Sequence, residues 1–342
     1  MSLRARPTEV RLELIEVDGG PRGLVCWQVD EGTLDVLLIR VRSGRGETTI
    51  GRHLLGLVRD AAIATQSETI CVLDRRPSPG VDRNFRDEGF AADGDGRVVA
   101  HAFAGRGTFA DLHERARAVG SPLAATDLFK DGSGDIAVRA AAAERWFAPF
   151  RVLGAGIPCF IVPIQHGWAT TLLDAGLAQE QLLPRDWGLG LRRELVYYRS
   201  PRNAGGLAPP ARLLWYVSGS APGAGTIRAL SHLTEVAVDD HRRLASRYKA
   251  LGVYTREQVA ARADSRGRAM ALRFSHTERF PHPVPLDDYR ELVAGDPKSK
   301  QVMLRSARRI SEHTFVTLMN RRADSRRAGR VLRRSSRCGA LL

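Results

Sequence analysis

The stretch Arg42-Ser43-Gly44-Arg45-Gly46-Glu47-Thr48-Thr49-Ile50-Gly51 is polar and rich in glycine, and it separates an apolar run from a helical pattern. A loop that enters a helix directly from a strand aims several unpaired N–H groups at one spot, and the helix dipole adds positive potential there. A pyrophosphate suits such a corner. The glycines permit close approach of the backbone, and the arginines supply charge. The lysine of a Walker loop is missing, which argues against a nucleotide triphosphatase. The anchoring set expected here is Arg45, Gly46, Thr48, Thr49, Ile50, Gly51 and Arg52. Three groups near the strand end or loop are candidate bases: Glu47, Asp35 and His53.

A second set pairs aromatic rings with arginines: Tyr197-Tyr198-Arg199, Arg202 and Trp215-Tyr216. Aromatic faces stack on bases, and guanidinium groups pair with phosphates. Neighbours along a strand face opposite sides, so one ring of each pair lines a cleft and the other is core. Tyr198, Arg199, Arg202 and Trp215 are the candidates. Farther on, residues 321–337 hold eight arginines against one aspartate, and Arg321, Arg322, Arg326 and Arg327 are expected to meet phosphates. The histidines are scattered without metal-ligand spacing, and no metal site is expected.

The elements that would position these groups follow from hydrophobic period. Residues 10–14, 24–29 and 34–41 read as strands joined by two hairpin turns, and Ile50, Leu54, Leu57, Val58 and Ala61 share one helical face. Strands at 69–73 and 97–103 flank a short helix ending at Gly89, giving an antiparallel meander with two helices. Residues 108–119 and 136–147 read as helices of a connector, with Thr108 as N-cap and Asp111 in the first turn. Short apolar runs at 159–164, 195–198, 212–217, 226–238 and 269–274 suggest a small barrel or sandwich. Residues 302–319 suit one amphipathic helix. The expected divisions are 1–107, 108–150, 151–295 and a basic helix with a mobile tail at 296–342.

The order of elements over residues 12–103 resembles the GNAT family of N-acetyltransferases. The strand at 36–41 runs into the pyrophosphate loop, Gly51 and Leu54 match the family's glycine-x-x-leucine step, and Asn84-Phe85-Arg86-Asp87-Glu88-Gly89-Phe90 resembles its closing YxxxGF signature. The resemblance implies acetyl-CoA or another acyl-CoA held by the N–H groups of 46–51, with Arg45 and Arg52 as charge partners. In the family's core pattern Gly46 and Thr49 stand at the first and fourth slots, where the pattern has Gln or Arg and Gly. Phe85 replaces a tyrosine that protonates the leaving thiolate in many relatives, and a phenyl ring has no proton to give. No helices precede the first strand to form an acceptor pocket, so a substrate wall is expected from elsewhere in the chain. Residues 157–292 resemble the PUA-like superfamily, which includes the ASCH and EVE domains, in the segments 157–164, 196–200, 212–217 and 270–275; this implies a cleft for RNA or a modified base. The fold class is thus α+β: a GNAT-like mixed sheet with helices, then a PUA-like small β-barrel and a basic helical tail.

Composition bounds these readings. The chain has 342 residues, 43% of them hydrophobic and 26% charged, with a net charge of +14. That is a folding composition, with length for two or three domains. Residues 1–150 carry 20 basic and 22 acidic side chains, 151–295 carry 19 and 13, and 296–342 carry 13 and 3. Basicity therefore grows along the chain toward a polyanion-binding arm. Four dispersed cysteines suit buried free thiols. No apolar run reaches membrane-helix length and no signal segment opens the chain, so a soluble, cytoplasmic protein without membrane contact is expected. The leading expectation is an acyl-CoA-dependent N-acyltransferase, an enzyme acting on or near RNA or tRNA, with a small-molecule acyl donor. Its rivals are a nucleic-acid-binding protein with a degenerate GNAT scaffold and an aminoacyl-tRNA-dependent transferase.

Overall fold

The computed structural model describes residues 9–17, 19–44, 46–173, 193–202, 206–221, 223–251, 254–293, 304 and 306–322. These fall into two compact units, one of residues 9–156 with Arg193 and the other of residues 157–173 and 194–322. The architecture is α+β. Among the described residues no helix is long and apolar enough to cross a membrane, and Cys26, Cys71 and Cys159 are free thiols.

The first unit begins with β1 (Arg11–Val17), β2 (Gly20–Asp30) and β3 (Thr33–Val41). Glu31 and Gly32, at φ 45° and 80°, make the two-residue turn between β2 and β3, where positive φ matches the strand twist. Helix α1 (Glu47–Ala64) then crosses to β4 (Thr69–Val72), and α2 (Pro79–Asp82), β5 (Ala91–Ala92) and β6 (Val98–His101) follow. The sheet order is β1-β2-β3-β4-β6-β5. Every neighbouring pair is antiparallel except β3 with β4, which α1 connects as a parallel pair. The expected meander is thus broken by one crossover, because an eighteen-residue helix carries the chain back to the start of the sheet.

Alternation along β3 sends Leu34 and Val36 into a core with Ile50, Leu54, Leu55 and Val58 of α1, and leaves Thr33 and Asp35 on the opposite face. The unit closes with β7 (Arg106–Thr108), α3 (Phe109–Ala118), a 3-10 turn (Pro122–Ala125), α4 (Ile136–Trp146) and β8 (Arg151–Leu153). Helix α3 opens at the expected N-cap Thr108, which forms a capping box with Asp111, each side chain accepting the other's backbone N–H.

In the second unit, β9 (Cys159–Gln165), α5 (His166–Leu172), β10 (Glu194–Arg199), β11 (Ala211–Ser218) and β12 (Thr226–Asp240) precede α6 (His241–Arg247) and α7 (Arg256–Ala260). Then come β13 (Arg268–Pro285), α8 (Leu286–Val293), β14 (Arg308–Ile310) and α9 (Glu312–Arg321). The six strands are ordered β10-β13-β12-β11-β9-β14. One face buries Tyr197, Trp215, Leu213, Phe160 and Phe274 under α5, and the other is covered by α6 and α7 over Val196 and Tyr198 and by α8 and α9 over Ile161 and Leu214.

Two elements differ from expectation. Strand β13 runs far past residue 274, since residues 280–283 face only Arg228 and so form a bulge in which Pro281 and Pro283 break no ladder bond. The single helix expected over 302–319 is cut short: Arg308–Ile310 pairs with β9, and Ser311 then caps α9 by accepting the Thr314 N–H at 3.1 Å.

Candidate nucleic-acid interface

The strand, loop and helix around Gly46 exist as expected, with Gly46 at φ 85° as the N-cap of α1. Helix α2 packs against the first turn of α1 on one side of this corner. Gly51 lies against α2, where an added Cβ would fall 2.2 Å from the Gly80 carbonyl oxygen, so its glycine serves helix contact rather than ligand approach. Asn84 fixes that contact by donating to the Thr48 and Gly80 carbonyls at 3.0 and 2.6 Å. The Glu47 side chain packs on Gly80 and pairs with Arg83 at 3.5 Å. Arg52, expected beside phosphate, pairs with Asp87 at 3.1 Å and Glu88 at 3.3 Å. Thr48 and Thr49 are exposed, Ile50 is core, and Arg45 lies outside the described residues.

Beyond the last β3–β4 pair, the free edge of β3 is capped by side chains. The Ile39 N–H donates to Asp74 at 2.9 Å, and the Val41 N–H donates to the Ser78 hydroxyl at 2.8 Å. Burial pushes the Asp74 carboxyl up, but bonds from Arg40 and from the Ile39 and Arg76 amides outweigh it and hold it below the usual 3.8. A carboxyl with a depressed native pKa adds stability above its unfolded pKa and loses it as pH falls through the native value. Asp74→Asn is therefore expected to destabilise by about 1–3 kcal/mol at pH 7, with the deficit shrinking at pH 3, measured by urea unfolding at both pH values.

The three candidate bases do not converge. Asp35 faces an open groove of about 1250 Å³ on the side of the sheet away from α1, where burial and Asp30 raise its pKa against a bond with Gln28. His53 lies on α1, and burial followed by the Arg193 guanidinium holds it at about 4, so it is neutral. Glu47 is the carboxylate paired with Arg83.

In the second unit the structure separates the expected residues into core and rim. Trp215 is wholly buried and donates to Ser231 at 2.8 Å. Tyr198, 2% exposed, donates to the Leu244 carbonyl at 3.2 Å. Both are core, because Tyr198 points toward α6 and Trp215 toward the sheet interior, and neither ring has a face for a base. Arg321 is held by Asp288 and Glu291 at 3.3 and 3.7 Å. Arg322 pairs with Glu278 over the Phe280 ring. These two arginines are matched by acids and fold onto their own unit; Arg326 and Arg327 lie outside the described residues.

A different cluster forms at the rim. Trp168 of α5 stacks on Tyr254 with centroids 3.9 Å apart and planes 18° apart, and both rings are half-buried. Tyr254 meets Tyr197 and Tyr198 edge-on at 6.2 and 5.1 Å. Arg262 donates to Gln165 at 2.7 Å, at the cap of the helix that carries Trp168. Arg199 follows Tyr197 by two residues on the same face of β10, where burial lowers its pKa against the pull of Tyr197. Arg202 donates to Ser265 at 3.3 Å.

Tyr254 and Arg262 belong to the crossover between β12 and β13. Residues 241–268 carry eight basic side chains against two acidic ones. Leu244, Tyr248 and Val259 anchor this crossover to the sheet, while Arg242, Arg256 and Arg266 are exposed. The Trp168 and Tyr254 rings also pack against the core of the second unit, with the Arg262 charge acting on Tyr254.

No family model matches the chain, and no curated protein does. Solved structures are similar to about half of it. The ASCH protein of Zymomonas mobilis is 15% identical over 47% of this chain and 94% of its own, with a TM-score of 0.36. A protein from Leishmania major is 11% identical over 48% and 94%, with a TM-score of 0.32. The N-terminal domain of McrB from Staphylothermus marinus is 10% identical over 48% and 93%, with a TM-score of 0.31.

Proposed function

We propose that this protein binds single-stranded RNA through its second unit, an ASCH-like, PUA-type domain, and that the first unit is a GNAT-type scaffold without acyl transfer. The observation that carries the reading is the Trp168–Tyr254 stack set beside Arg262 and a crossover of net charge +6, eight basic minus two acidic residues. Bases stack on the aromatic pair, and the arginines track the backbone. Trp168→Ala is expected to weaken binding of a short single-stranded RNA by about tenfold to a hundredfold, the value of one lost stack. Fluorescence anisotropy of a labelled oligonucleotide measures it. Equal affinity of wild type and Trp168→Ala would remove the stack from the site.

Acyl transfer remains a second reading for the first unit, supported by a strand order in which one parallel pair flanks α1. It would use acetyl-CoA or another acyl-CoA as donor. Against it stand the β3 amides already bonded to Asp74 and Ser78, the Gly51 contact with Gly80, and Phe85 buried where a proton donor is wanted. Calorimetry with acetyl-CoA separates the two: heat of binding at micromolar affinity would favour the transferase.

A further inference from the structure

Among the described residues, strand β1 is an edge of the first unit's sheet. Val10, just before the strand, and Leu12 and Leu14 within it follow one alternation and are 52, 63 and 51% exposed. Leu12 sits opposite Cys26, which sits opposite Leu38, so an apolar row crosses three strands and ends at the open edge. Arg11, Glu13 and Ile15 share the other face of β1. An uncovered edge with apolar side chains is a template for another strand.

We propose that the occupant of this edge is a second copy of the same strand, joined antiparallel across a two-fold axis at Leu12 so that two sheets become one. Charge favours that register over the ones on either side of it. Directly opposed residues of an antiparallel pair share a face, so the symmetry axis must pass through a residue. An axis at Arg11 would set Arg11 against itself, and one at Glu13 would set Glu13 against itself. The axis at Leu12 places Arg11 opposite Glu13 of the other copy twice, Val10 opposite Leu14 twice, and Leu12 against Leu12. Opposite charges and apolar pairs are the combinations that stabilise cross-strand neighbours. Arg11 already meets Glu9 at 3.1 Å in its own chain and would lie between two carboxylates. The apolar row Leu38-Cys26-Leu12 continues into its symmetry mate.

Light scattering coupled to size-exclusion chromatography tests this on the full chain. Wild type is expected to form a concentration-dependent dimer. Arg11→Glu sets Glu against Glu and Glu13→Arg sets Arg against Arg, so each is expected to raise the dimer dissociation constant roughly tenfold. The double variant R11E/E13R restores opposite charges at both positions and is expected to return to within about threefold of wild type, a rescue this register requires. Unchanged thermal melting of the variants confirms that folding is intact. A wild type that stays monomeric up to its solubility limit, a dimer indifferent to all three variants, or a double variant as weak as the singles would each overturn the proposal.

Discussion

Arg59→Met is expected to cost the first unit about 3–5 kcal/mol, the size of loss seen when one partner of a buried charged network is removed. Arg59 lies on α1, is 2% exposed, and bonds three backbone carbonyls from three separate segments: His101 at 2.8 Å, Trp146 at 2.7 Å and Glu88 at 2.7 Å. Its guanidinium also sits 5.7 Å from the Phe90 ring centroid. The fork geometry of guanidinium makes one side chain a clasp for β6, α4 and the turn before β5, which lysine cannot reproduce. Methionine keeps the volume and leaves three buried carbonyls without a donor. The shift in urea midpoint at unchanged slope measures the cost; a loss under 1 kcal/mol would show that water replaces the clasp.

The same variant has a pH signature. Burial, then the Arg59 charge, hold His101 at about 4. Between about 4 and the ordinary 6.5 the unfolded chain binds a proton that the folded chain refuses, so stability falls as pH drops across that window, by about 1 kcal/mol per pH unit. Removing Arg59 takes away the repulsive charge beside the imidazole. His101 then protonates at higher pH, and the slope between pH 6.5 and 4 is expected to flatten. Parallel slopes in wild type and variant would contradict the coupling.

What the sequence made legible was mostly periodic. Alternation located the longer strands of both sheets but missed β5 and β14, and the Thr108 and Asp111 spacing located the start of α3. The strand, loop and helix around Gly46 was also readable, but the contact made by Gly51 was not. Gly51 carries the same letter whether a phosphate or the Gly80 carbonyl lies against it, and only the packing of α2 decides. The rim cluster was hidden for another reason. Gln165 and Arg262, bonded side chain to side chain, are 97 positions apart, and Trp168 and Tyr254 reach each other from α5 and from the loop before α7. A signal existed in the composition of 241–268, a basic run between two strands, outweighed by the denser arginines after residue 320. Density of charge did not separate paired from unpaired groups: Arg321 and Arg322 meet acids, and within 241–268 Arg243, Arg247 and Arg268 meet Asp239, Glu235 and Asp264 while Arg242, Arg256 and Arg266 are exposed.

That contrast gives the second large effect. Replacing Arg242, Arg256 and Arg266 together by alanine is expected to weaken RNA binding about a hundredfold at 0.1 M salt, because each phosphate contact on a single strand contributes about 0.7 to the log-log salt slope and three are removed. The slope itself should fall by about 2 units. Substituting Arg321 and Arg322 by alanine removes as dense a pair of charges but is expected to leave the slope unchanged, since Asp288, Glu291 and Glu278 already neutralise them. The three residues of the crossover are exposed while Leu244, Tyr248 and Val259 form its buried anchors, so folding is a separable readout by thermal melting. Titrations at four or five salt concentrations distinguish the outcomes. If the paired arginines of α9 carried the slope and those of the crossover did not, the binding face would lie on the α8–α9 side of the sheet, and Trp168 would be a packing residue rather than a platform for a base.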